Sequence, residues 1–164
     1  MQHTRFDTQP CPAARALDCV GDWWSILIMR DAFRGMTRFD AFQKSLGIAP
    51  NILSRRLAHL CEQGVLEKRP YQTRPLRYSY HLTEKGQGFF PVLMALADWG
   101  NRYLPIDRPV WQITDRASGT PLAVQVVRAD TLAVLTPETV ALATRFPDGR
   151  TVSHPSPGQP EETC

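Results

Sequence analysis

The ordered pattern of residues 37 to 82 constrains this chain more than any other part of it. Leu53, Leu57 and Leu60 recur at the i, i+4, i+7 spacing of one buried helical stripe, while Asn51, Arg55, Ala58, His59 and Glu62 project from the opposite face. Pro50 suits the first helical turn, where its missing N–H is not needed, and Gly64 is a natural stop. Ahead of this helix, Thr37 is placed to cap another whose Phe39, Phe42 and Leu46 form an apolar stripe, and Gly47-Ile48-Ala49 supplies a short turn between the two. Behind it, residues 65–70 read as a strand and residues 71–76, with Pro75 inside, as a turn. Residues 77–82 then read as a second strand, alternating Tyr78, Tyr80 and Leu82 against Arg77, Ser79 and His81.

Helix, tight turn, helix and hairpin in that order make a winged helix-turn-helix. A charged outer face alone is what most surface helices show, so the hairpin and the charge distribution decide the reading. From residue 38 to 77, Lys and Arg number eight against three acids. The formal net charge of +3 is too small to argue for nucleic acid by itself, but residues 1–104 hold fourteen basic and nine acidic side chains, whereas residues 105–164 hold five and seven. The expected partner is double-stranded DNA. Arg38 and Lys44 on the first helix, Arg56 on the flank of the second, and Arg74 and Arg77 on the wing are suited to phosphates or the minor groove. Asn51, Ser54, Arg55 and His59 are suited to base edges, since Asn pairs with adenine and Arg with guanine in the major groove.

Around the motif the chain supplies a scaffold. Residues 13–20 predict a first helix with Pro12 at its start, and Asp22 is placed to cap a second, residues 23–33, whose near-continuous apolar content makes it central. Thr83 and Glu84 open a last helix running to about Leu104, which Pro91 should kink or divide. Residues 89–97 are apolar in succession and cover more than one side of a helix, so Phe89, Phe90, Leu93, Leu96, Trp99 and Tyr103 are expected to form a homodimer interface. Two-fold symmetry also suits half-sites spaced about one helical turn apart. The expected class is therefore mainly α with a small β-wing: residues 1–104 form the DNA-binding and dimerisation domain. Residues 105–146 form a strand-rich extension, with strands at 110–114 and 122–127, a third at 131–135, and a short helix or turn at Thr136-Pro137-Glu138. Residues 147–164, rich in Pro, Gly, Ser and Thr, are expected to be a disordered tail.

Other functions find little in these residues. With 43% hydrophobic and 21% charged residues in 164, the composition is that of an ordinary soluble protein. No Gly-rich phosphate loop, G-x-S-x-G or H-E-x-x-H occurs, and His3, His59, His81 and His154 are scattered, so neither an enzyme nor a cofactor is expected. The cysteines contain no C-x-x-C pair, which argues against a metal site or a disulfide framework. No apolar run reaches the roughly 18–20 residues that cross a bilayer, and no signal pattern opens the chain, so a cytoplasmic protein with no membrane partner is expected. Cys11 differs from the rest. It precedes Pro12 at the positive end of a helix, and with Arg15 nearby it is a candidate redox sensor; the plainer role is a small apolar residue at the helix start. The alternative to a DNA-binding regulator is a protein-interaction scaffold whose working surface is the C-terminal hairpin.

Several strings in order also resemble one family: Cys11-Pro12, residues 21–30 (GDWWSILIMR), 38–42 (RFDAF), 48–57 (IAPNILSRRL), 64–66 (GVL), 78–86 (YSYHLTEKG) and Trp99-Gly100. Over residues 11 to about 104 they are similar to the HxlR-type, MarR-like winged-helix transcriptional regulators. The resemblance implies a bacterial homodimer that binds operator DNA and answers to an unidentified small-molecule or redox effector. It also strengthens Cys11 as a sensor, because some HxlR-type regulators respond through a cysteine at this position.

Overall fold

A computed structural model describes residues 6, 8–107 and 112–154, apart from the side chains of Leu142 and His154. The chain forms two compact units, residues 1–110 and 111–164. The first holds helices α1 (Pro12–Val20), α2 (Trp23–Phe33), α3 (Phe39–Leu46) and α4 (Pro50–Glu62), then strands β1 (Leu66–Thr73) and β2 (Leu76–Leu82), then α5 (Glu84–Gln87) and α6 (Phe90–Tyr103). The expected mainly helical fold with a small antiparallel wing is present.

The leucine stripe of α4 is its inner face. Leu53, Leu57 and Leu60 are fully buried and join Ile28, Met29, Phe42, Ile48, Val65 and Leu66 in one core cluster. Gly47 closes α3 in the left-handed region at φ 60°, a conformation that costs a side chain dearly and a glycine little, so the chain can turn sharply into α4. α2 lies at the centre through Ile28 and Met29, yet Trp23 on its first turn is exposed, so the helix is not apolar-buried all round.

Capping departs from expectation at α3. Its N-cap is Arg38, with no side-chain cap bond, and Thr37 instead accepts the Tyr80 N–H at 2.7 Å through its carbonyl oxygen. The residue that looks like a cap is thus a backbone tie to the wing. At α2 the cap is as expected: Asp22 Oδ1 accepts the Ser25 N–H at 3.1 Å, and the other carboxylate oxygen takes the Ser25 hydroxyl. Asp22→Ala is expected to lower the stability of the domain by about 0.5–2 kcal/mol, the usual cost of a missing cap. Chemical denaturation measures it, with Asp22→Asn, which keeps a capping oxygen, losing less.

The last helix divides, but not at Pro91. α5 ends at Gln87, Gly88 and Phe89 break the run, and Pro91 sits harmlessly in the first turn of α6. Thr83 caps α5 by accepting the Gly86 N–H at 3.1 Å. A Cβ on Gly86 would stand 2.2 Å from the Val65 carbonyl oxygen, so only glycine allows α5 to lie this close to the start of the wing.

Within residues 112–154 the expected strands shrink to single bridges, Thr114 with Pro121 and Val127 with Val134, and Val110 lies outside the described residues. Thr136-Pro137-Glu138 does open a short 3-10 turn at Pro137–Thr139. The true hairpin comes later. β3 (Leu142–Arg145) pairs antiparallel with β4 (Thr151–His154), so the ordered chain reaches into the region expected to be a tail. Pro147, Asp148 and Gly149, whose composition suggests disorder, are turn formers here, with Asp148 bonded to Arg150 at 2.7 Å. Residues 155–164 lie outside the described residues.

Candidate nucleic-acid interface

The outer face of α4 is open. Asn51, Ser54, Arg55, Ala58 and Glu62 are exposed, and among the described residues no acid lies within ion-pair distance of Arg55. Asn51 is exposed, and its Oδ1 accepts the Ile52 N–H at 2.9 Å. Two residues expected to meet DNA, His59 on this face and Arg56 on its flank, are engaged elsewhere. The His59 ring is half-buried with Nε2 3.1 Å from the Cys19 carbonyl oxygen, so it faces α1 rather than solvent. Arg56 is also half-buried, with Nε 3.2 Å from Asp22 Oδ1, an ion-pair distance whose angle does not make a hydrogen bond. Both tether α4 to the corner between α1 and α2. A helical wheel shows which flank they occupy but not which neighbour stands against it.

Around α4 the remaining cations divide by whether an acid holds them. Arg30 and Arg34 pair with the buried Asp31 at 2.9 and 3.5 Å, and Arg69 pairs with Glu67. Lys44, Arg74 and Arg77 are exposed, and no ion pair engages them among the described residues. Arg38 is exposed as well, its guanidinium lying over the ring of Tyr71. These unpaired cations of the described residues therefore sit on α3 and the wing, on either side of the open face of α4 in chain order.

The wing is longer than the sequence suggests. β1 continues through Pro70 to Thr73, and β1 and β2 pair from Leu66 with Leu82 out to Thr73 with Leu76. A bulge between Pro70 and Gln72 takes up the irregularity, and a two-stranded ribbon with open edges tolerates a proline without its N–H. Tyr80 and Leu82 of β2 pack against the core cluster, while Ser79 is buried on the other side of the strand. Tyr71 has the sequence signal of a turn residue and nothing more, because only the bulge places it.

Two of the residues expected at a dimer interface belong to the subunit's own core. Leu93 is 4% exposed and Phe89 is half-buried against the core cluster, because α6 must spend one stripe on its own domain. Phe90 meets Phe33 of α2 with ring centroids 5.4 Å apart, yet remains exposed on its other side. Leu96, Trp99 and Tyr103 are 50%, 52% and 61% exposed, and the exposed apolar run continues through Leu104 and Ile106.

Cys11 is exposed, carries a free thiol and stands at the N-cap of α1. The Arg15 guanidinium is turned to the backbone instead, donating to the carbonyls of Gln9 and Pro10 at 2.7 and 2.9 Å. Cys61 is half-buried, and that burial pushes its thiol up, away from thiolate. No described group of His, Cys, Asp and Glu could hold a metal ion, and no described helix is long and apolar enough to cross a membrane.

A family model described as the HxlR-like helix-turn-helix matches residues 19–108. The chain belongs to the HxlR-like helix-turn-helix family. An uncharacterized HTH-type transcriptional regulator of Mycobacterium bovis is 44% identical over 91 residues, which are 56% of this chain and 58% of that one. The chain thus spans little more than half the length of that relative. The crystal structure of PA1607, a candidate transcription factor, aligns over 85% of this chain and 98% of its own with a TM-score of 0.78 and 43% identity. The redox regulator HypR in its reduced form aligns over 58% of this chain and 95% of its own, with a TM-score of 0.55 and 25% identity.

Proposed function

We propose that this HxlR-like protein is a sequence-specific DNA-binding transcriptional regulator that grips a pseudo-palindromic operator as a homodimer. The observation that carries the reading is the open face of α4: Asn51, Ser54 and Arg55 are exposed together, with no acid of the described residues holding Arg55, on a helix whose leucines lock it from behind. α4 enters the major groove, Arg55 and Asn51 read base edges, and Arg38, Lys44, Arg74 and Arg77 contact phosphates. His59 and Arg56 hold α4 at its angle rather than touching DNA. The exposed Leu96, Trp99 and Tyr103 of α6 form the contact between protomers, which places two copies of α4 for two half-sites.

Selection of bound sequences from a random duplex pool tests this directly. A pseudo-palindrome should be recovered, and binding to it should fall by about 10³–10⁵ between 50 and 200 mM salt, as expected for roughly eight phosphate contacts from four cations on each of two protomers. Weak binding without sequence preference would instead favour an interaction scaffold. Redox control is the regulatory reading, supported by the exposed free thiol of Cys11 and by the likeness to HypR. Diamide should then change operator affinity in the native protein and leave Cys11→Ser unaffected.

A further inference from the structure

At the start of α3, backbone and one ring tie the helix to the wing. Arg38 forms an antiparallel bridge with Ser79 of β2, next to the bond from the Tyr80 N–H to the Thr37 carbonyl. Across the ribbon, Pro70 faces Tyr78 and Gln72 faces Arg77, so Tyr71 is the extra residue that the bulge inserts into β1. An inserted residue leaves the ladder and re-aims its side chain. Here the ring comes to lie beneath Arg38, with Cζ 3.3 Å from the ring centroid. Both side chains are exposed, and no acid competes for the guanidinium among the described residues. A guanidinium lying over a ring keeps its N–H donors at its edge, where a phosphate can reach them.

We propose that Tyr71 is a positioning residue for DNA binding: its ring holds the Arg38 guanidinium in place before DNA arrives, so that α3 and the wing present a fixed cation to one phosphate. The inference rests on the DNA-binding reading above. An unsupported arginine would lose its side-chain freedom on binding, and the ring removes most of that loss beforehand. The ring and not the hydroxyl does this, so phenylalanine should replace tyrosine without loss.

Fluorescence anisotropy with a selected operator duplex, at several salt concentrations, decides the matter for the native protein, Arg38→Ala, Tyr71→Phe, Tyr71→Leu and the Arg38→Ala/Tyr71→Leu pair. Arg38→Ala should reduce the slope of log K against log salt by about 0.9 for each protomer. Tyr71→Leu should weaken binding by about 5- to 30-fold in a dimer carrying two such stacks, Tyr71→Phe should bind as the native protein does, and Tyr71→Leu should cost nothing further once Arg38 is gone. Thermal melting guards against unfolding, with Tyr71→Gln as the substitute if the leucine variant melts early. Additive losses, equal losses for Phe and Leu, or no loss from Arg38→Ala would overturn the inference while leaving operator binding intact. Failure of the native protein to prefer any duplex would bring down the DNA-binding reading itself.

Discussion

Leu57→Ala is expected to lower the stability of the helical unit by about 2–5 kcal/mol, the range for truncating a fully buried leucine that leaves a cavity. Leu57 is 0% exposed and shares its cluster with Ile28, Met29 and Phe42 from two other helices, so the neighbours cannot all relax into the gap. Against a typical total of about 5–15 kcal/mol, such a loss is a large fraction. Melting should move down by on the order of 10 °C or more. Glu62→Ala, on the exposed side of the same helix, should stay within about 0.5 kcal/mol. The pair separates the two faces of α4: truncation on the inner one removes a large share of the stability, and truncation on the outer one leaves it nearly unchanged. Urea unfolding followed by circular dichroism reads both, and a Leu57→Ala protein as stable as the native would mean that the leucine stripe does not anchor α4.

That stripe is fully legible because a 3.6-residue period is a property of the chain alone. Leu53, Leu57 and Leu60 need no neighbour to be recognised, and the same holds for Pro50 at the helix start and Gly47 at the turn. What does not show is everything set by a second element. Thr37 has a side chain suited to capping, but the strand arriving at Tyr80 engages its carbonyl and leaves the N-cap to Arg38. His59 and Arg56 look like free polar groups on a wheel, and only the corner at Cys19 and Asp22 absorbs them. Phe89 and Leu93 look outward-facing because an apolar run covers several sides, and no periodicity says which side the subunit keeps.

The wing and the extension show the same division. Strand alternation locates β2 closely, whereas Pro70 shortens the expected β1, since a proline ends most strands and only the bulge next to it makes the longer ribbon possible. Farther on, the turn formers at Pro147-Asp148-Gly149 resemble disorder in composition; β3, four residues with little apolar weight, gives no reason to expect a partner strand beyond them. Composition registers turns and tails alike, and backbone pairing is what tells them apart.

Arg55→Ala carries the second large effect, on binding rather than folding. Each good bidentate contact between an arginine and a guanine edge is worth about 1–3 kcal/mol of discrimination, so the variant should bind the selected operator about 5- to 150-fold more weakly for each half-site that Arg55 reads. The loss should be specific. Arg55 is exposed and outside the core cluster, so melting should scarcely change, and binding to random duplex should fall far less than binding to the operator. Lys44→Ala supplies the contrast: without the ammonium's grip on a phosphate, operator and random DNA should bind more weakly alike, and the salt slope should fall by about 0.9 per protomer. If Arg55→Ala behaved like Lys44→Ala, Arg55 would be gripping the backbone, and the reading of sequence would pass to Asn51 and Ser54 on the preceding turn. A second round of selection with the Arg55→Ala protein distinguishes these cases at single-base resolution, because a base-reading arginine leaves one position of each half-site relaxed and the others intact.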